Sequence, residues 1–477
     1  MIYVHWILLI VYIAIVILTM LKVLMDNRQP TKTMAWLLVL LFIPFIGIII
    51  YFFFGQNTRK ERYISQHSLD QISKRSMAGY VEQRNLQIPE QHKVLVRLFA
   101  EQNWAFPYTD NDVDLFTDGY SFLSVLLYEI GQAKHHIHLI SYIIEDDPVG
   151  RLVADALMDK ARQGIEVRLI YDDVGCWGVK KEFFERMRIE GIEVEPFLPV
   201  RFPTFARKVN YRNHRKLIVI DGKVGYVGGM NLALRYVKGR NNRGWRDTML
   251  RIEGGGVCSI QRAFLVDWYF VDRTLLSDRK YYPINEHAMM NNNAQCVVQT
   301  ITSAPLAPYP EIMQGFVRII LGAKKYVYIQ TPYFLPTDAV FFALKTAVTS
   351  GVDVRVMVPK NTDGWFVEWG SRSYLREAHE AGIRVMLYEE KFLHAKMMVC
   401  DDSLCTCGST NIDFRSFENN FESNTFVYDE DVAQQMKQVF LQDAEHTIPL
   451  TSLPKLIRPR FFARLGESFM RLLSPLM

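Results

Sequence analysis

Two short stretches of the chain carry residues whose types and spacing could do chemistry, and they are built alike. The first reads His214-Arg-Lys216, four residues, Asp221, six residues, then Gly228-Gly229-Met-Asn231. The second reads His394-Ala-Lys396, four residues, Asp401, six residues, then Gly408-Ser409-Thr-Asn411. The gaps after the lysines, Leu217 to Ile220 and Met397 to Cys400, are apolar, as buried strands are. Residues two apart on a strand face the same side, so each His would project with its Lys into one cleft. Gly228, Gly229 and Gly408, with Ser409 as the fourth of these positions, would let a ligand approach the backbone closely. Asn231 and Asn411 would add neutral donors.

Brought together, two His, two Lys and two Asn make a cationic pocket whose imidazoles titrate near neutral pH. That suits exchange at a phosphodiester. One His attacks phosphorus. The other protonates the leaving oxygen, then deprotonates the incoming alcohol. Lysine and amide donors stabilise the phosphoryl oxygens. Such chemistry calls for no metal and no cofactor. Asp247, in Gly244-Trp-Arg-Asp247, and Glu422, in Asn420-Phe-Glu422, recur downstream of the two motifs. Either could bond the far nitrogen of a catalytic His and set its tautomer. Asp221 and Asp401 fall at strand ends. They are read with the catalytic set, with a role in fixing the fold as the alternative.

The elements around the motifs also repeat. From about residue 108 onward helical and strand patterns alternate, the mark of an α/β fold. Ala161-Arg-Gln-Gly-Ile-Glu-Val-Arg-Leu-Ile170 matches Ala347-Val-Thr-Ser-Gly-Val-Asp-Val-Arg-Val356, and Gly191-Ile-Glu-Val-Glu195 matches Gly382-Ile-Arg-Val-Met386. Each unit reads as a helix end, a Gly stop and a buried strand. The expectation is two similar lobes, 108–290 and 294–450, related by a pseudo-twofold axis, with the polar run Met290-Asn-Asn-Asn293 between them. Equivalent motifs would then meet at the interface.

The N-terminus is of another kind. Ile2 to Leu24 and Met34 to Phe54 are apolar runs of about the 20 residues a membrane-crossing helix needs. The turn between them contains Pro30. Residues 1–56 are therefore expected to form a transmembrane hairpin, followed by a juxtamembrane linker over 57–107. The first run is too long for a signal core, and no small-residue cleavage site follows it. Arg59, Lys60, Arg62, Lys74 and Arg75 outweigh the charges of the turn, which places the large C-terminal part in the cytoplasm. Six scattered cysteines, without the spacing of a disulfide framework or a zinc site, agree with a reducing compartment. The tail 451–477 is basic and amphipathic. Its stretch Phe461 to Leu473 reads either as a helix lying on an anionic bilayer or as a closing helix packed on the domain. The net charge of +4 does not by itself mark a nucleic-acid binder, and none is expected as a partner.

The doubled pattern resembles the HKD motif of the phospholipase D superfamily, over roughly residues 108 to 450. The resemblance implies a phosphohistidine intermediate, with His214 as nucleophile and His394 as general acid and base. Within that superfamily the chain is similar to cardiolipin synthases. The two N-terminal membrane helices, Gln330-Thr-Pro-Tyr-Phe-Leu-Pro336, Trp245-Arg-Asp247 and Asn411-Ile-Asp-Phe-Arg-Ser416 carry that likeness. It implies transfer of a phosphatidyl group from one phosphatidylglycerol to the glycerol hydroxyl of a second, in a bacterial plasma membrane. Arg212, at the end of an insertion over 198–212 with Arg201, Arg207 and Lys208, would contact lipid headgroups. Tyr142, Tyr333 and Phe334 would line the acyl entrance. The alternatives are a hydrolase or nuclease with the same covalent intermediate, a non-catalytic membrane scaffold, and a transferase using a CDP-activated lipid.

Overall fold

The computed structural model describes residues 2–26, 30–51, 72, 87–200, 210–240, 243–283, 296–305, 307 and 309–474. The juxtamembrane cations Arg59, Lys60, Arg62, Lys74 and Arg75, the linker 290–293, and Arg201, Arg207 and Lys208 of the insertion lie outside these residues.

The first half supplies β1 (Tyr108–Phe116), β2 (His136–Ser141), β3 (Glu166–Asp172), β4 (Glu193–Phe197), β5 (Arg212–Asn213), β6 (Leu217–Ile220), β7 (Val224–Gly228), β8 (Trp245–Arg246) and β9 (Met249–Glu253). The second supplies β10 (Cys296–Ser303), β11 (Tyr326–Gln330), β12 (Phe334–Leu335), β13 (Asp353–Pro359), β14 (Arg384–Tyr388), β15 (Phe392–Leu393), β16 (Met397–Cys400), β17 (Leu404–Gly408), β18 (Ile412–Asp413), β19 (Asn420–Tyr428) and β20 (Thr447–Pro449). One sheet runs β20-β14-β13-β11-β16-β17-β19-β10-β1-β9-β7-β6-β2-β3-β4. β10 and β1 are antiparallel neighbours at its middle. Outward from them, one side runs β9, β7, β6, β2, β3, β4 and the other β19, β17, β16, β11, β13, β14, so the order of elements repeats. The parallel strands β2-β3-β4 and β11-β13-β14 need crossover connections. Helices Pro148–Arg162 and Lys181–Ile189 supply them in one half, Asp338–Thr349 and Trp365–Glu380 in the other.

Strand alternation divides the core. Leu217 and Val219 face helix Val257–Asp272 on one side of the sheet, where Met397 and Val399 of β16 join the same core with helix Glu430–Ala444. Ile218 and Ile220 face the crossover helices on the other. Both motif strands are thereby buried on both faces, which is why they read as unbroken apolar runs.

Asp221 and Asp401 close the turns after β6 and β16, with φ of 54° and 50°. Asp221 accepts the backbone N–H groups of Lys134, His135 and His136 at 2.8 to 3.0 Å. Asp401 accepts those of Lys324, Lys325 and Tyr326 at 2.6 to 2.8 Å. A four-residue strand, about 13 Å long, separates each from its motif lysine. The expectation that they join the chemistry is corrected here: each ties a helix–strand connection to a turn at the far end of its strand.

At the N-terminus, one helix among the described residues, Tyr3–Met25, is long and apolar enough to cross a membrane. The second apolar run is not one helix. It divides into Pro30–Phe42 and Pro44–Ile50, because Pro44 has no N–H to give the ladder and its ring crowds the preceding turn. Val23, Leu40 and Tyr51 are buried together where the pieces pack against the first helix.

Candidate active site

Each motif histidine follows a two-residue strand, and each of those strands pairs in parallel with a segment of the other half. β5 runs beside the start of β19, Arg212 opposite Asn420 and Asn213 opposite Phe421. β15 runs beside β8, Phe392 opposite Trp245 and Leu393 opposite Arg246. One residue further on, this register sets His214 beside Glu422 and His394 beside Asp247. The N–H of His214 donates to the Phe421 carbonyl at 2.9 Å, and that of His394 to the Arg246 carbonyl at 2.7 Å.

The side chains complete both pairs. His214 Nδ1 lies 3.1 Å from each carboxylate oxygen of Glu422. His394 Nδ1 lies 2.6 Å from Asp247 Oδ2. A ring nitrogen this close to a carboxylate oxygen carries the proton between them. Nδ1 is therefore assigned the hydrogen in both rings, which leaves Nε2 with its lone pair. Lys396 Nζ is 2.8 Å from His394 Nδ1. An ammonium cannot donate to a nitrogen that is itself a donor, so its hydrogen bond goes to the His394 carbonyl. Lys216 likewise donates to the His214 carbonyl, at 2.5 Å.

The two halves share one electrostatic site. Lys396 disfavours protonation of His214, and Lys216 that of His394. Burial is the largest influence throughout. It holds His214 below the usual imidazole value against the pull of Glu422. It lowers His394 to about 4, with Lys396 adding to the effect. It lowers Lys216 to about 7 and draws Lys396 down as well. On the carboxylates burial acts upward but is outweighed. Lys396 and His394 keep Asp247 below the usual range, and His214 and Lys216 do so for Glu422. Tyr142 meets His214 edge-on, 4.9 Å between ring centres, with Lys216 Nζ 5.2 Å from its own. Tyr236 stands edge-on to His394 at 6.0 Å, and Trp245 is tilted against it at 5.2 Å.

The positions expected to approach substrate divide. A Cβ on Gly228 would overlap the Thr248 carbonyl, and one on Gly408 the Ser423 carbonyl. The absence of a side chain at these glycines lets β7 pack on β9 and β17 on β19. A Cβ on Gly229 would overlap the Asp247 carboxylate. Ser409, at the equivalent place, donates its hydroxyl to Glu422. The Gly-for-Ser difference thus follows the two carboxylates. Asn231 accepts from the Ile143 N–H at 3.0 Å and donates to the Tyr236 hydroxyl. Asn411 donates to Asp413 at 3.0 Å. Arg212 is buried and lies 3.4 Å from Asp172, so a headgroup role is corrected to a buried ion pair. Tyr333, half-buried, donates to Asp363 at 2.8 Å. Phe334 is fully buried in the second-half core and does not line an entrance.

Two arginines whose types alone did not assign them a role tie the site together, Arg215 inside the first motif and Arg246 before Asp247. Arg215 donates to Asp267 at 2.5 Å, to the Ser303 carbonyl at 3.0 Å and to the Glu422 carbonyl at 3.0 Å, joining β19 to the first motif. Arg246 binds Asp443 at 3.0 Å and the Asp247 carbonyl at 2.6 Å. An arginine inside an apolar-flanked motif was the available signal, since such a group is buried only when paired.

Residues 126–258 and 316–444 match the family model described as cardiolipin synthase, PLD-like domain. Each range holds one motif histidine with its lysine and one of the two carboxylates that bond the histidines. The cardiolipin synthase of Clostridium perfringens is 36% identical over 458 residues, covering 95% of both chains. That of Oceanobacillus iheyensis is 37% identical over 466 residues, again covering 95% of both. The chain belongs to the cardiolipin synthase family. Residues 6–56 add a match to the phospholipase D-nuclease N-terminal region. As a member of the cardiolipin synthase family the chain is a phospholipid phosphatidyltransferase. Its fold is like that of the solved phosphatidylserine synthase of Haemophilus influenzae Rd KW20, with a TM-score of 0.60 at 15% identity over 81% of this chain and 100% of that one.

Proposed function

We propose that the chain moves a phosphatidyl group from one phosphatidylglycerol to the terminal glycerol hydroxyl of another, giving cardiolipin and glycerol. The observation that carries this reading is the pair of cross-half histidine–carboxylate contacts flanking two lysines. His214 Nε2 attacks phosphorus, and the bond from phosphorus to the headgroup glycerol breaks. His394, which takes up a proton on Nε2 as the phosphodiester anion binds beside it, gives that proton to the departing oxygen. The second phosphatidylglycerol then enters, His394 takes its hydroxyl proton, and the alkoxide displaces His214 from phosphorus. Resemblance to the superfamily supports this order of the two histidines. Lys216 and Lys396 neutralise the phosphoryl oxygens, and the incoming phosphodiester anion offsets the burial and the positive field that together disfavour a proton on His394. Asp247 and Glu422 fix the tautomers.

The wider frame belongs to the same proposal. Residues 108–290 and 294–450 are two lobes related by a pseudo-twofold axis near the β1–β10 junction. The kinked pair Pro30–Phe42 and Pro44–Ile50, about 31 Å along its axis if extended, is a second membrane crossing. The catalytic part faces the cytoplasm of a bacterium, against an anionic bilayer.

The test supplies purified enzyme with phosphatidylglycerol as sole lipid, without nucleotide or metal, and reads lipids by mass spectrometry. Cardiolipin with free glycerol, absent for His214→Ala, is the expected result. Phosphatidic acid without cardiolipin would make the chain a hydrolase. Turnover only on addition of CDP-diacylglycerol would replace the donor.

A further inference from the structure

Helix Phe461–Leu472 has two faces with opposite fates. The inner face is fixed to helix Trp365–Glu380. Glu467 is 2% exposed and pairs with Arg376. Arg471 binds Glu377 at 2.8 Å and lies 4.2 Å from the Tyr374 ring centre. Gly466 fits against Trp369, whose ring a Cβ would overlap. The outer face carries Phe461, Phe462, Leu465, Phe469 and Leu472, from 58% to 82% exposed. Positions 461, 465, 469 and 472 lie on one side of a helix, so this is a continuous apolar stripe and not scattered surface hydrophobics.

The stripe does not stand alone. One turn before Trp369, Trp365 and Phe366 are stacked at 3.6 Å between ring centres and are 61% and 48% exposed. Asp363, two residues earlier, accepts the Tyr333 hydroxyl at 2.8 Å, and its charge acts on Lys396 and Tyr236. The apolar surface therefore begins two residues beyond a carboxylate whose charge reaches the catalytic Lys396. Arg458, Arg460 and Arg464 are exposed along the same segment and form no ion pair among the described residues.

We infer that the outer face of helix Phe461–Leu472, with Trp365 and Phe366, inserts at the surface of an anionic bilayer and seats the mouth of the active site on it. A helix with bulky apolar groups on one side and arginines beside them is the form that lies in the headgroup plane. Exposed arginines beside them are attracted to an anionic surface. A second copy of the chain is a poorer occupant. A twofold contact through this face would bring the three arginines against their own counterparts. The inference rests on the reading of the chain as an enzyme of lipid in a bilayer.

The test uses the full chain and two substrate forms. Phe461→Ser, Phe462→Ser, Leu465→Ser and Phe469→Ser are combined; all four positions are exposed and outside the catalytic machinery. Turnover of phosphatidylglycerol is measured in vesicles and in detergent micelles, where no bilayer must be engaged. The expected result is a loss on the order of tenfold in vesicles, with micellar turnover within about twofold of the parent. Equal turnover in both forms would overturn the inference. An environment-sensitive dye on Phe462→Cys supplies the second readout. It should shift on vesicles containing phosphatidylglycerol and not on neutral vesicles. A shift that follows protein concentration without lipid would overturn the inference in favour of self-association. Should the parent make no cardiolipin in micelles, the proposed reaction fails, while the dye still reports on the surface.

Discussion

His214 and Glu422 stand 208 positions apart in the chain, yet His214 Nδ1 lies 3.1 Å from both oxygens of the Glu422 carboxylate. The contact is a consequence of register. β5 pairs with the start of β19, and the next residue along each strand makes the pair. β15 and β8 repeat the arrangement for His394 and Asp247. Neither histidine is oriented by its own half.

This relationship sets the first prediction. Glu422→Gln and Asp247→Asn keep the shape of each partner but admit the wrong tautomer. Each is expected to lower kcat by about 10⁴-fold with little change in KM, as loss of an orienting carboxylate does elsewhere. Steady-state kinetics on micellar phosphatidylglycerol check it. A rise in KM with kcat unchanged would place the carboxylates in binding instead.

The Gly229 and Ser409 positions give an asymmetric pair. Gly229→Ser puts atoms where the Asp247 carboxylate lies, and displacing His394 by about 1 Å is expected to cost about 10²-fold in kcat. Ser409→Ala removes only the hydroxyl that supports Glu422, with a loss on the order of tenfold. Kinetics of the two variants side by side make the comparison; equal effects would contradict it.

Asp221→Ala and Asp401→Ala test a structural role. Each strands three backbone N–H groups in a connection that is partly exposed, at a cost of about 1–3 kcal/mol. Thermal melts should fall by several degrees, while kcat of the folded fraction stays within about threefold. A large loss of kcat at unchanged melting temperature would return the aspartates to the chemistry.

The two aspartates also show what the sequence made legible and what it did not. Their fixed distance from His and Lys made them look like one constellation, but the intervening residues are an extended strand, which carries them to its other end. The histidines and lysines were legible because the spacing occurs twice. Asp247 and Glu422 were legible as candidates, but not the exchange of partners, which depends on two-residue strands paired across more than a hundred positions. Arg212 looked like a loop cation and is a strand residue bound to Asp172. Met34 to Phe54 looked like one crossing by composition, and the break lies at Pro44. The repeated helix-stop-strand units gave the α/β class, since each has its own local pattern.

A pH dependence follows from Lys216. Burial lowers its ammonium to about 7 in the unliganded site, so its charge is present below that pH and is lost as pH rises through it. KM for phosphatidylglycerol is expected to climb from pH 7 to 8.5. In Lys216→Met, KM is expected to be higher and flatter across the same range. A parent KM that stays flat would contradict the assignment.

The central claim is that the transferred group rides on His214. Enzyme mixed with phosphatidylglycerol labelled in its phosphate is quenched within a turnover, digested, and the peptides are analysed by mass spectrometry. The account predicts label on the peptide bearing His214 and none in His214→Ala. Label on the His394 peptide, or cardiolipin formed with no labelled protein at any time, would contradict it.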